Sequence, residues 1–114
     1  MAQVIFSSSN DFDKTADLEL RRLDKCFSSY DPDEIESELS SDVLTLTVCK
    51  KHIIVINRHR AASQIWMAAN RTAWHFNLEA ETLSWKTQAG ETLHEVLSKT
   101  LSDLCARTIL ISKE

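Results

Sequence analysis

Two short segments constrain this chain more than any others: Ile53-Ile54-Val55-Ile56 and Ser63-Gln64-Ile65-Trp66-Met67-Ala68. The first is an apolar β-branched run, the composition of a strand with little water around it, and the second alternates. Side chains alternate across a strand, so Ile54, Ile56, Ile65 and Met67 share one face, while Val55, Asn57, Gln64 and Trp66 share the other. One face is oily and has to be covered. The opposite face carries two amides and a tryptophan that the pattern does not require to be buried. It is either a docking surface or a sheet face that only partly covers Trp66.

The remaining elements supply the cover. Ser9 or Asn10 is placed to cap a helix, with Asp11 and Asp13 near its positive end. Phe12, Ala16, Leu20, Leu23, Phe27 and Tyr30 then recur at spacings of three and four, one apolar stripe on a helix to about Ser29. Asp31-Pro32-Asp33 is expected to stop it. Residues 34–39 alternate, with Ile35 and Leu39 inward and Glu34, Glu36 and Glu38 outward, as a charged edge strand does. Val43 to Cys49 alternates too, with Leu44, Leu46 and Val48 inward. Trp74 and Phe76 are expected in the core with His75 on the open face, and residues 82–87 form a last strand with Leu83 and Trp85 inward. Thr92 and Glu95 have capping-box spacing, opening a helix whose stripe is Leu93, Leu97, Thr100, Leu101 and Leu104. The predicted fold is α+β: a two-layer α/β sandwich with two terminal helices on one face of a mostly antiparallel sheet of about six strands. It is one domain over residues 1–114, with a loose lead-in at 1–9 and a tail at 107–114. Ile109-Leu110-Ile111 is expected to pack back along the groove between the helices.

At 114 residues there is room for one core. The net charge of −4 argues against a general nucleic-acid or anionic-membrane binder and permits cationic partners. Three cysteines, Cys26, Cys49 and Cys105, form no CxxC and cannot all pair internally, which fits a reducing compartment. No apolar run approaches the ~20 residues of a membrane span. The start has neither a signal-peptide pattern nor an arginine-rich transit pattern, so a cytoplasmic location is expected, or a mitochondrial matrix one if a presequence has been removed.

The order Val-Ile-Asn-Arg (55–58), Gln-Ile-Trp-Met (64–67) and Trp-His-Phe (74–76) is similar to the signature of the frataxin family. Val-Leu-Thr-Leu-Thr at 43–47 and Gly-Glu-Thr-Leu at 90–93 also resemble it, especially its bacterial branch. The resemblance runs from about Phe12 to Leu104. It implies the same sandwich and a mostly monomeric, non-enzymatic, iron-binding regulator of iron–sulfur cluster assembly. Its implied partners are a cysteine desulfurase and an iron–sulfur scaffold protein. The implied iron and desulfurase surface is an acidic ridge on the first helix and first strand: Asp13, Asp17, Asp24, Asp31, Asp33, Glu34, Glu36 and Glu38. The implied scaffold surface is the open face with Asn57, Arg58, Gln64, Trp66 and His75.

Read from the residues alone, such carboxylates are hard oxygen ligands that would hold iron, manganese or calcium loosely. They also fit a plain solvated helix face, since Asp17 and Arg21 sit at i, i+4 and can pair. The chain departs from the family here. The later part of the first helix, usually acidic, reads Lys25-Cys26-Phe27-Ser28-Ser29, and Arg21, Arg22 and Lys25 dilute the charge further. The strongest negative potential is therefore expected near the loop and edge strand. No cysteine has a neighbouring histidine that would mark a nucleophile, and His59 with His75 is too few ligands for a metal site. With Gly90 as the only glycine there is no phosphate loop. Two other readings stay open. One is an RNA-binding sheet using Trp66, His75, Arg58, Arg60 and Arg71, which the acidic charge and helix-first order oppose. The other is iron storage or ferroxidation, for which no dedicated site is evident.

Overall fold

The computed structural model describes residues 3–111. Its elements run α1 (Ser9–Phe27), β1 (Ile35–Ser40), β2 (Val43–Val48), β3 (His52–His59), a 3₁₀ turn (Arg60–Ala62), β4 (Gln64–Ala69), β5 (Thr72–Leu78), β6 (Trp85–Lys86) and α2 (Leu93–Cys105). The six strands form one sheet in the order β1-β2-β3-β4-β5-β6, and every neighbouring pair is antiparallel. With only short connections available between strands, each can pair only with the strand just made.

The register places the oily set in line. Leu44 lies opposite Ile56, Ile56 opposite Met67, and Leu46 opposite Ile54. All five are at most 1% exposed, as are Phe12, Ala16, Leu20, Leu23 and Phe27 of α1 and Leu93, Leu97 and Leu101 of α2. Both helices thus cover the same face, as the alternation requires. Burying each large aliphatic or aromatic side chain contributes roughly 1.5–3 kcal/mol. None of the described helices is long and apolar enough to cross a membrane.

Helix ends are set by hydroxyls. The α1 cap is Ser8 rather than Ser9 or Asn10: its side chain accepts from the Asp11 backbone N–H at 3.2 Å. The helix ends at Phe27, ahead of the proline expected to stop it. Ser28 Oγ donates to Lys25 O at 2.6 Å and Ser29 Oγ to Cys26 O at 3.1 Å, which satisfies carbonyls the helix leaves open. In α2 the capping box is complete, with Thr92 and Glu95 each bonding the other's backbone N–H. The sequence reading missed a link between the helices. Glu19 is 3% exposed, accepts from Arg22 Nη2 at 2.9 Å, and lies 3.2 Å from His94 Nε2 without the alignment of a hydrogen bond.

Three expectations need correction. The last strand is only Trp85–Lys86, because Glu79 to Leu83 is a turn: Leu83 N–H donates to Glu79 O at 2.8 Å, and Leu83 has φ 54°. Leu83 is consequently 67% exposed, not inward. Trp74 is half-buried at the rim of the core, where it lines an open groove with Val96, Lys99, Thr100 and Leu104 of α2. The described part of the expected lead-in, from Gln3 on, is tied down, with Val4 N–H donating to Leu78 O at 2.7 Å and Phe6 edge-on to Phe12 at 5.4 Å, while residues 1–2 lie outside the described residues. In the tail, Ile109 and Ile111 are buried while Leu110 is 80% exposed, and Ser102 and Ser98 of α2 accept from their backbone N–H groups. The rest of that tail, residues 112–114, lies outside the described residues.

Of the three tryptophans only Trp85, at 3% exposed, is fully in the core. Trp85→Ala should cost ~3–5 kcal/mol in urea unfolding, Trp74→Ala less, and Trp66→Ala least. Equal losses for all three would contradict this assignment of faces.

Candidate functional site

The open face is built by the positions that alternate with the core. Pairing aligns Val43, Asn57, Trp66 and His75 across four strands. Trp66 does not stand free on this face. His59 stacks on one side of the indole (centroids 3.8 Å apart, planes at 7°) and His75 on the other (4.2 Å, 14°). The indole Nε1–H donates to Gln64 Oε1 at 2.8 Å, and Gln64 Nε2 donates to Asn77 Oδ1 at 3.3 Å. The ring is therefore held as the middle layer of a slab that presents edges outward. Both of its faces are taken, which leaves none on which a nucleic-acid base can stack. Alternation puts Trp66, His75 and His59 on one face, and the β3–β4 register, with Asn57 opposite Trp66 and His59 opposite Gln64, makes His59 the diagonal neighbour of the indole.

Arg58, expected on this surface, belongs to the other face. It pairs in register with Ile65, a core residue. Its Nε donates to Asp42 Oδ1 at 3.0 Å and its Nη1 to the Asp13 carbonyl of α1 at 3.1 Å. The bond to Asp42 and nearby carboxylates hold its guanidinium more firmly charged than usual. Arg58 clamps α1 to the sheet.

The acidic set divides in a way the linear sequence hides. Inward on β1 are Ile35 and Leu39 with Ser37, whose Oγ donates to Asp24 Oδ1 of α1 at 2.7 Å. Glu36 and Glu38 are on the opposite face, in register with Thr47 and Thr45, so the expected single ridge folds over the sheet edge. Its helix half is largely neutralised. Asp13 pairs with Arg60 at 2.6 Å and Asp17 with Arg21 at 2.7 Å. Asp33 lies 3.4 Å from Lys50, and Glu34 takes a two-pronged hydrogen bond from Arg107 beyond α2. Asp31 folds its own loop, its Oδ1 accepting from Asp33 N–H at 2.9 Å. Among the described residues, no ion pair involves Asp24, Asp31, Glu36 or Glu38. Nor does any group of three or more His, Cys, Asp or Glu side chains there converge as a metal site. The donors suit a hard divalent ion, yet no more than one or two can reach it together, so any ion keeps most of its water.

A six-stranded antiparallel meander, covered on one side by helices at both ends of the chain and edged with carboxylates, defines a frataxin-like sandwich. The sequence model described as Frataxin-like domain matches residues 5–107. The chain belongs to the frataxin family. Its bacterial branch is represented by the "Iron-sulfur cluster assembly protein CyaY" of Thioalkalivibrio sulfidiphilus. That protein is 34% identical over 77 residues, which span 67% of this chain and 72% of the relative. The fold is similar to that of frataxin from Psychromonas ingrahamii, of the CyaY family, with a TM-score of 0.80 at 17% identity over 93% of this chain and 99% of that one. A trimeric frataxin from Saccharomyces cerevisiae complexed with ferrous iron superposes with a TM-score of 0.61 at 23% identity, over 94% of each chain.

The hydrogen bonds from Arg107 hold the Glu34 carboxyl below its ordinary value of 4.5. A lowered folded-state value means the pair's contribution is fully present above about pH 4.5 and is lost as pH falls through the lowered value. Arg107→Ala should return the Glu34 titration toward 4.5, read by NMR of the side-chain carboxyl. It should also flatten the loss of stability on the acid side of that point. An unchanged Glu34 titration would remove the pair from the account.

Proposed function

We propose that this protein is a non-enzymatic regulator of iron–sulfur cluster assembly that works by binding. Its acidic edge meets a cysteine desulfurase and loosely holds iron as cargo, and its open sheet face meets the scaffold protein. The observation that carries this reading is the arrangement of Asp31, Glu36 and Glu38. They are exposed carboxylates, free of ion pairs among the described residues, at the edge of a sheet whose open face carries the Trp66 slab. Family membership supports it, as does the role in a relative's name, iron–sulfur cluster assembly. Unpaired carboxylates along a strand edge attract a basic partner, and such contacts speed encounter and weaken as salt rises. The slab supplies a rigid aromatic edge flanked by Asn57 and Gln64, suited to an apolar contact with a polar rim. Within the set expected to bind metal, Asp13, Asp17, Asp33 and Glu34 are secondary, because cations already sit on them.

Metal binding is tested by Mn(II) titration followed by amide NMR. Line broadening should centre on Asp31, Glu36 and Glu38 and fade on adding salt; broadening centred on His59 and His75 would sink the carboxylate site.

Partner binding is tested with two variants. Glu36→Lys with Glu38→Lys should weaken desulfurase binding by about tenfold or more at low salt and leave the fold intact, since both side chains face water. Trp66→Ala should keep desulfurase binding and lose the effect on the rate of cluster formation. Unchanged desulfurase binding after charge reversal would reduce the acidic edge to a solvated surface.

A further inference from the structure

Cys49 and Cys105 are 56 residues apart in sequence, and the fold brings their sulfurs to 3.6 Å, with the Cys49 thiol directed at Cys105 Sγ. Cys49 occupies the turn between β2 and β3, and Cys105 is the last residue of α2. Neither thiol is deeply buried. Each is fixed by its surroundings. Cys49 has φ 53° and its N–H donates to Glu34 O at 2.7 Å, while Ala106, with φ 56°, ends the helix immediately after Cys105. The gap to a sulfur–sulfur bond of ~2.05 Å is within what side-chain rotation supplies. Cys26, on α1, makes no such thiol contact among the described residues.

We propose that Cys49 and Cys105 form a redox-active dithiol that closes to an intramolecular disulfide by exchange with a low-molecular-weight disulfide, joining the β2–β3 turn to the end of α2. The Cys49 thiolate attacks one sulfur of the small disulfide, and one small thiolate leaves. Cys105 then loses its proton to solvent and attacks Cys49 Sγ, and the bond from Cys49 to the remaining small thiol breaks, releasing it. Two protein thiols lose two electrons, and one small disulfide becomes two thiols. Cys105 is the resolving partner. Burial, then the contact with Cys49, pushes its thiol up to about 11, so its thiolate is scarce at neutral pH, and it acts second, on the mixed disulfide held beside it at Cys49. Glu34 and Arg107 face this pair and oppose one another, the carboxylate raising and the guanidinium lowering that value. The closed form adds a covalent tie between the β2–β3 turn and the end of α2, beside the Glu34–Arg107 pair already present.

The test treats the full chain with glutathione disulfide at mildly alkaline pH, quenches it by alkylation, and reads intact mass and a peptide map. The expected product is a monomer that has lost two hydrogens and takes up a single alkyl group, on Cys26, with Cys49 and Cys105 peptides joined and, before the quench, a melting temperature higher by ~10 °C because a long loop is closed. Cys26→Ser should give the same product. Cys105→Ser should stop at a persistent glutathione adduct on Cys49. The wild-type map decides the matter even if a variant folds poorly. A persistent adduct on wild-type Cys49, a cross-link through Cys26 or between chains, or no reaction would each overturn the proposal.

Discussion

Two helices cover one face of a six-stranded sheet and leave the other in water, and everything distinctive about this molecule follows from that asymmetry. On the covered side, Leu44, Leu46, Ile54, Ile56, Ile65 and Met67 meet the stripes of α1 and α2 with almost no exposure. The open side has to be tolerable in water without a third layer. It manages with Thr45, Thr47, Asn57 and Gln64, and with Trp66 held between two imidazoles and bonded through its Nε1–H. Stacking hides both apolar faces of the indole while keeping its edge outward. The result is a rigid aromatic feature on a mostly polar surface, the type of surface on which few residues carry most of a binding energy.

Charge is distributed by the same geometry. The acidic residues of α1 sit where cations from distant segments reach them: Arg60 from the β3–β4 connection at Asp13, and Arg58 from the sheet at the Asp13 carbonyl. Arg107 does the same at Glu34, from beyond α2. Such pairs at the surface contribute little each to stability. Their larger effect is on the field, since they cancel much of the helix half of the ridge and two loop carboxylates, Asp33 and Glu34, and leave the negative potential on Asp31 and on the outward face of β1. An acidic surface meant to steer a basic partner is thereby concentrated on one edge.

A single glycine also shapes the fold. Hairpins need residues with positive φ, and here Ser41, Cys49, Lys50, Ser63 and Asn70 adopt it at the strand connections, with Leu83 in the β5–β6 turn. For side chains with a Cβ that conformation costs about 1 kcal/mol or more, so neighbouring structure has to hold it. At Cys49 the holding contact is the bond to Glu34 O. The same restraint aims a thiol at the end of α2.

The two-sided alternation at 53–56 and 63–68, the apolar stripes and the Thr92–Glu95 capping box are local patterns. They determined the layers, the covered face, the start of α2 and the inward positions of β1 to β4, because period and capping act over a few residues. The linked motifs at 55–58, 64–67 and 74–76 likewise pointed to the frataxin family. Long-range contacts lay outside what such patterns encode. Nothing local said that His59 would stack on Trp66, that Arg58 would turn to α1, or that Arg107 would neutralise Glu34. Nor did it say that Glu36 and Glu38 would lie across the sheet edge from Asp24, or that two thiols 56 residues apart would touch. The short β6 shows the same limit, since Leu83 satisfies a strand's alternation and yet sits in a turn fixed by its bond to Glu79. Periodicity states which way a side chain faces; which distant group it meets there is decided only when the strands pair and the helices pack.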